Sequence, residues 1–207
     1  MLELFDHPIS SNALKVRFLL AELGLDYERI RVPIERPRPD WYAEVNPLVG
    51  IPSLRDGDLV LSESNAILRY LANRESRDDL YPVDPAARAR VDMMLDRFSL
   101  TLRPALFQVE AAALGFSPKG GFGSVPGDPE AAKVKAEAAA PTLRTFDGLI
   151  ASDGYWLGDF TIVDCAVAPA LYRTTLTGLD LAPYPNLLRV RDLITARPAF
   201  QRADPAG

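Results

Sequence analysis

The sequence is poor in cysteine and histidine, on which disulfide and most transition-metal sites depend. It contains one of each, Cys165 and His7, in 207 residues. A single cysteine cannot form an internal disulfide, which is typical of proteins in the reducing cytoplasm. Without a Cys/His cluster we expect no metal site. Because Cys165 stands in a strongly apolar stretch, we expect an inert core thiol, whereas His7 follows a strand and is expected in a turn.

The sequence also lacks a long hydrophobic run and an excess of positive charge. No apolar segment approaches the roughly 20 residues of a membrane-spanning helix. The first residues show neither the basic nor the apolar region of a secretory signal. Lysine and arginine number 23 against 28 aspartate and glutamate, which gives a net charge of −5. This charge disfavours nucleic acid or an anionic membrane as the main partner, and we expect a cytoplasmic protein.

The residues that are present divide the chain into two parts. Over residues 1–76, strands are predicted at 2–5 and 27–32 with a helix at 13–23 between them. A hairpin around Asp56-Gly57 and a helix from residue 64 complete an α/β domain. Residues 77–86 are polar and are predicted as a linker. Residues 87–207 are predicted to be all-helical, with a kink at Pro104, a glycine-rich loop at 115–129 and no strand.

One stretch of the first domain has the features of a binding site for a small peptide. Pro52 must begin its strand or lie at an edge, and Ile51-Pro52 is a position where a cis peptide bond is cheap. A cis bond would turn the backbone of Ile51 outward, toward an extended peptide. At the start of the next helix, Ser64 and free backbone N–H groups suit a carboxylate, and Glu63 suits an ammonium group.

Together these segments resemble the cytosolic glutathione S-transferases, and the resemblance covers essentially the whole chain. It rests on four motifs in a fixed order: Pro8-x-Ser10-x-Asn12-x-x-Lys15-Val16, then Asn46-Pro47 leading to Ile51-Pro52, then Glu63-Ser64-Asn65-Ala66-Ile67, and Gly158-Asp159-Phe160-Thr161-Ile162-Val163-Asp164. The resemblance implies a thioredoxin-like N-terminal domain followed by an all-α C-terminal domain. It also implies a homodimer, glutathione as co-substrate on the first domain and a small electrophile held against the second.

The family resemblance also implies roles for particular residues. Ile51, beside a cis Pro52, would pair with the cysteinyl part of glutathione, and Glu63 and Ser64 would hold its γ-glutamyl end. Ser10 would face the sulfur, with Ser11 and Asn12 as alternatives, since related bacterial enzymes use an asparagine here. Where many members have a basic residue or glutamine, this sequence has Gly50, and Arg36 or Arg38 could take over that contact.

The sequence leaves alternative roles open for several other residues. The ring trio Phe107, Phe116 and Phe122 either lines an electrophile pocket or packs in the core, and Tyr155-Trp156 is expected in the core. Arg103 either meets an anionic substrate or, as we expect, forms an exposed salt bridge. Thr161 and Asp164 have the spacing of a helix capping box.

Three functions remain open at this stage. The first is a glutathione transferase that adds the thiolate to a small apolar electrophile. The second is an enzyme that uses the same thiolate for a different reaction, namely disulfide reduction, peroxide removal or isomerisation. The third is a non-enzymatic interaction module that keeps the fold.

Overall fold

A four-stranded sheet with helices around it forms the first third of the computed structural model, which describes residues 1–203. The strands are β1 (Leu2–Asp6), β2 (Tyr27–Arg31), β3 (Ser53–Asp56) and β4 (Leu59–Ser62). The helices are α1 (Ser11–Leu23), α2 (Asp40–Val45) and α3 (Ser64–Arg74). The four strands and helices α1 and α3 correspond to elements predicted from the sequence.

The order of the strands determines which segments meet at the candidate site. The sheet runs β2-β1-β3-β4; β1 is parallel to β2 and antiparallel to β3, and β3 pairs with β4 as a hairpin. This is the thioredoxin-like arrangement that the resemblance implied. Because β1 and β3 are antiparallel, with Phe5 opposite Ser53, the segment between β1 and α1 lies beside the start of β3. The beginning of α1 therefore lies next to Pro52.

Helix α1 is almost entirely buried, since it packs against α3 and against two helices of the second part, Ile162–Thr177 and Pro198–Arg202. Its start is capped by Ser10, whose Oγ accepts a hydrogen bond from the amide of Ala13 at 3.2 Å. Its end is capped by Gly24 in the left-handed conformation, with a φ of 65°. The helix ends at Leu23 as predicted and begins two residues earlier than predicted.

The rest of the described chain is mainly helical. The helices are α4 (Pro85–Arg97), α5 (Arg103–Leu114), α6 (Pro129–Asp147), α7 (Ile162–Thr177), α8 (Pro185–Thr195) and α9 (Pro198–Arg202). Where a proline kink was predicted, a π-helical turn (Phe98–Leu102) joins α4 to α5. Pro104 has no amide hydrogen and its ring excludes the normal helical partner carbonyl, which accounts for the irregularity ahead of it. Among residues 1–203, no helix is both long and apolar enough to cross a membrane.

The prediction that no strand follows residue 61 is wrong. Strands β5 (Phe116–Ser117) and β6 (Gly121–Phe122) form a small antiparallel hairpin inside the glycine-rich segment. Gly121 adopts a φ of +77°, which the segment needs to turn back on itself. The pairing sets Phe116 opposite Phe122, and this ring contact stabilises strands too short to be recognised from sequence.

The capping box of α7 anchors the buried helix at the centre of the second part. Thr161 Oγ1 accepts from the amide of Val163 at 3.2 Å, and Asp164 accepts from the amide of Thr161 at 2.8 Å. Asp164 also accepts from the amide of Trp156 at 3.0 Å, which ties the preceding loop to the helix. Burial raises the pKa of Asp164 to about 7, although these hydrogen bonds act in the opposite direction.

Candidate functional site

The Ile51-Pro52 turn is built as the sequence predicts. The peptide bond is cis, and Ile51 packs in a small core with Phe5 and Tyr42. The loop ahead of it is fixed by Asn46, whose Nδ2 donates to the carbonyl of Gly50 at 3.0 Å. The Tyr42 hydroxyl donates to the same carbonyl. These contacts explain the Asn46-Pro47 motif, because its asparagine holds the turn in place.

A polar cavity of about 90 Å³ lies beside this turn. It is lined by residues from α1, the loop and the start of α3: Asn12, Asn46, Gly50, Ile51, Pro52, Glu63 and Ser64. The structure therefore brings together the four residues predicted to hold a peptide with one of the three predicted to face its sulfur. The cavity is the junction of three segments that are far apart in sequence.

The backbone at the start of α3 has an unusual conformation. Glu63, the residue that precedes the helix, has a φ of +65°, although it is not glycine. Such a conformation costs about 1–3 kcal/mol and is retained where the surroundings impose it, often at functional sites. It places the exposed Glu63 carboxylate and the amide end of α3 on the same cavity. Ser64 Oγ accepts a hydrogen bond from Lys15 Nζ at 3.4 Å.

The three candidates at the start of α1 have different surroundings. Ser10 Oγ caps the helix and donates a long hydrogen bond of 3.4 Å to the carbonyl of Ile51. Ser11 is buried, and its Oγ accepts from Arg103 Nη2 at 3.3 Å. Asn12 is exposed, and its carboxamide has no hydrogen bond within residues 1–203. All three residues line the aromatic cavity described next, and of the three only Asn12 also lines the polar cavity.

A second, aromatic cavity of about 170 Å³ adjoins the first, and Asn12 lines both. Phe107, Phe116 and Phe122 meet there with ring centroids 5.1–5.7 Å apart, so the ring trio lines a cavity rather than the core. A further apolar cavity of about 230 Å³ shares Ser10 and Phe122 with it. A polar cavity and an aromatic cavity thus meet at the amino end of α1.

A buried ionic network at the wall of the aromatic cavity, which Arg103 lines, was not predicted. Arg103 contacts both carboxylate oxygens of Glu110, at 3.0 and 3.2 Å, and Arg173 Nη1 donates to the same carboxylate at 3.2 Å. The expectation of an exposed salt bridge at Arg103 is therefore wrong, because its side chain is only 16% exposed. Burial lowers the pKa of Arg103, and Glu110 partly offsets this. Arg173 also donates to the carbonyl of Ile9, just ahead of Ser10.

Comparisons with known proteins agree with this geometry. Residues 9–74 match the family model described as "Glutathione S-transferase, N-terminal domain". The chain is 35% identical to glutathione S-transferase 3 of Zea mays, over 97% of this chain and 92% of the maize protein. The chain belongs to the glutathione S-transferase family.

Other members of the glutathione S-transferase family carry different names. A stringent starvation protein A homolog of Coxiella burnetii is 29% identical, over 97% of this chain and 90% of that protein. A maleylacetoacetate isomerase of Pseudomonas aeruginosa is 28% identical, over 99% of this chain and 96% of that protein. Glutathione S-transferase III in apo form matches in structure with a TM-score of 0.78, at 31% identity, over 98% and 94% of the two chains. The structure of a glutathione transferase family member from Pseudomonas fluorescens, with two glutathione molecules bound, matches with a TM-score of 0.80 at 27% identity. The match covers 99% of this chain and 92% of that chain.

This glutathione S-transferase family member has a modified loop ahead of the cis proline. An added Cβ at Gly50 would meet only Asn46 Nδ2, at 3.6 Å, so the glycine leaves open space on the polar cavity. Arg38 lies against this loop, where its Nε donates to the carbonyl of Val49 at 2.6 Å. Its Nη1 donates to the carbonyl of Pro33 at 2.6 Å. Arg38 therefore braces the loop through main-chain carbonyls.

The other singled-out residues have structural roles. His7 is nearly buried in the turn before α1, where its Nδ1 accepts from the amide of Ile9 at 3.4 Å. Burial lowers the pKa of His7. Cys165 is a fully buried free thiol, and burial raises its pKa well above the ordinary value. Trp156 lies in the core, and the Tyr155 hydroxyl accepts from Arg197 at 2.7 Å. These contacts confirm that His7 lies in a turn and that Cys165 and Trp156 lie in the core, whereas Tyr155 is half-buried against it.

Proposed function

We propose that the protein binds glutathione in the polar cavity, stabilises its thiolate at the start of α1, and adds it to a small apolar electrophile in the aromatic cavity. The observation that carries this proposal is the meeting of the two cavities at Asn12. A sulfur at that junction faces the amino end of α1 on one side and the phenylalanine rings on the other. The reaction needs no metal, because the nucleophile is the thiolate itself.

The peptide is held by the residues that line the polar cavity. The backbone of Ile51, beside the cis Pro52, pairs with the cysteinyl part as an added strand edge would. Glu63 holds the γ-glutamyl ammonium group, and Ser64 with the α3 amides holds the γ-glutamyl carboxylate. The open space at Gly50 leaves the glycyl end with fewer side-chain contacts, so we expect modest affinity for glutathione.

The start of α1 offers enough stabilisation to ionise the thiol. An ordinary thiol pKa is about 8.5, and lowering it by about two units requires about 2.7 kcal/mol. A hydrogen bond to a charged acceptor supplies about 1.5–3 kcal/mol, and a helix amino end about 0.3–1, up to about 2 in partly buried geometries. Ser10 can redirect its hydroxyl from the long bond to Ile51, and Asn12 has its amide free. Ser11 acts less directly, since Arg103 holds it.

Thiolate absorbance and turnover test these roles. With glutathione bound, Ser10→Ala and Asn12→Ala should each raise the pKa of the glutathione thiol. Conjugation of chlorodinitrobenzene should slow about tenfold or more in at least one of the two variants. The Kd for glutathione should change little. Ser152→Ala, which removes an exposed loop hydroxyl, is the matched control. Unchanged thiol pKa values in both variants would contradict the role of α1. No binding of glutathione at millimolar concentration would contradict the whole proposal.

The second candidate uses the same thiolate for disulfide or peroxide reduction, or for cis–trans isomerisation through a transient adduct. Similarity over 99% of the chain to a maleylacetoacetate isomerase favours the isomerase form. Glutathione-dependent reduction of hydroxyethyl disulfide, or isomerisation of a maleyl substrate, faster than conjugation would favour this candidate. Similarity to the stringent starvation protein A homolog keeps the interaction module as a third candidate, which predicts no turnover in any of these assays.

We also propose that the protein is a cytoplasmic homodimer. Large apolar side chains remain exposed on the edge strand β4, at Leu59 and Val60, and on the α4 side, at Met93 and Leu100. Light scattering during size-exclusion chromatography should give twice the chain mass of 22.7 kDa. A monomer at micromolar concentration would contradict the dimer.

A further inference from the structure

Lys15 is a buried lysine without a carboxylate partner. It lies on α1 and is only 4% exposed. Its Nζ contacts Ser64 Oγ at 3.4 Å and lies 5.3 Å from the ring centroid of Phe98, and it forms no ion pair within residues 1–203. The charged groups that act on it are Arg103 from α5 and Glu63 from the start of α3.

This environment is unfavourable for an ammonium group. A buried charge without a counter-ion is costly, and the usual response is a change of protonation state. Burial and the positive charge of Arg103 lower the pKa of Lys15 to about 7, against the opposing effect of Glu63. At neutral pH the neutral amine is therefore an accessible form of Lys15, behind Ser64.

The contact with Ser64 connects this amine to the polar cavity. Ser64 lines that cavity, and its Oγ accepts the hydrogen bond from Lys15. Since that oxygen is the acceptor, the hydroxyl hydrogen of Ser64 is free to donate toward the cavity. An anion accepted there would lie one hydroxyl away from Lys15 and would supply the negative charge that the buried site lacks.

We infer that Lys15 is a positioning residue for glutathione: it orients Ser64 toward the γ-glutamyl carboxylate and takes up a proton from solvent when that carboxylate binds. The inference rests on the proposed glutathione site. The bound carboxylate stabilises the ammonium form, so binding and protonation favour each other. No bond other than N–H is formed, and the buffer supplies the proton.

Calorimetry with S-methylglutathione tests this coupling, because that ligand has no thiol to release a proton. Titrations in two buffers that differ in ionisation enthalpy, phosphate and Tris at pH 8 and phosphate and Bis-Tris at pH 6, give the number of protons exchanged at each pH. With Lys15 fully protonated in the complex, we expect an uptake of about 0.9 proton per site at pH 8 and about 0.1 at pH 6, from the pKa of about 7 in the free protein. The Kd should rise about tenfold from pH 6 to pH 8.

Two variants separate this role from a purely structural one. Lys15→Arg keeps a permanent charge, so it should bind S-methylglutathione with no proton uptake and little dependence of Kd on pH. Lys15→Met should bind more weakly at pH 6 and also show no uptake. Lys133→Met, which replaces an exposed lysine on α6, should behave as the unmodified protein.

The outcomes distinguish the inference from the function on which it rests. Binding of S-methylglutathione without proton uptake at pH 8, or uptake that persists in Lys15→Arg, would overturn the role of Lys15 and leave the glutathione site intact. Failure of the unmodified protein to bind glutathione would overturn both. Circular dichroism of each variant establishes that it is folded, and Lys15→Arg keeps the test valid if Lys15→Met is not.

Discussion

Replacement of Glu110 by glutamine should strongly destabilise the protein. The carboxylate is 3% exposed and is shared by Arg103 and Arg173, which are 16% and 11% exposed. Glutamine preserves the volume but removes the only negative charge in this network and turns an N–H₂ group toward a guanidinium. Removing one partner of a buried ion pair costs about 3–5 kcal/mol, because the remaining charges stay buried.

Thermal unfolding followed by circular dichroism measures this cost. For a chain of this size, 1 kcal/mol shifts the Tm by about 2–4 °C, so Glu110→Gln should lower it by about 6–20 °C. Glu137→Gln, on the exposed side of α6, is the matched control and should shift it by less than about 2 °C. A decrease in Tm of less than about 3 °C for Glu110→Gln would refute the reasoning that the network is held together by one shared charge.

Three further predictions follow from buried groups. Asp164→Ala leaves the amides of Trp156 and Thr161 without acceptors, so it should cost about 2–6 kcal/mol in urea unfolding, and a loss below about 1 kcal/mol would contradict the capping role. Cys165 is fully buried with a raised pKa, so iodoacetamide at pH 8 should label it only after unfolding; rapid labelling of the native protein would contradict this. Folding lowers the pKa of Lys15 from 10.5 to about 7, so the neutral amine is the form favoured by the fold. The free energy of unfolding should therefore rise between about pH 7 and pH 10. Lys15→Met should have a higher Tm than the unmodified protein at pH 7, and this difference should shrink toward pH 10. A difference that stays constant would contradict the lowered pKa.

The α/β part could be predicted because its signals are local. Each strand and helix of residues 1–76 has its own pattern, and Gly24 and Asp56-Gly57 mark a helix end and a hairpin turn within a few residues. The cis bond at Pro52 could be anticipated because proline alone makes it cheap. The sequence therefore predicted five of the seven residues that line the polar cavity, although not how they contact one another.

The ionic network and the β5–β6 hairpin were missed because their signals are not local. Arg173 contacts a carbonyl 164 residues away at Ile9, and no spacing rule connects two such positions. The spacing of Arg103 and Glu110, seven apart on one helix face, was available as a signal, but burial of the pair depends on the packing of α7. The hairpin depends on the contact between Phe116 and Phe122 rather than on strand propensity.

The local charge around α1 is opposite to that of the whole chain. The protein has a net charge of −5, yet Arg103 and Arg173 lie near the start of α1 around one buried carboxylate, Glu110, and Lys15 adds a further positive charge when it is protonated. The amino end of the helix adds a further partial positive charge. In the proposed complex, glutathione bound as a thiolate would present two anionic groups to this region, its γ-glutamyl carboxylate and its sulfur. A neutral peptide of the same shape would leave the positive charge uncompensated, so under this proposal the region favours the ionised ligand over its neutral form and links affinity to thiol activation.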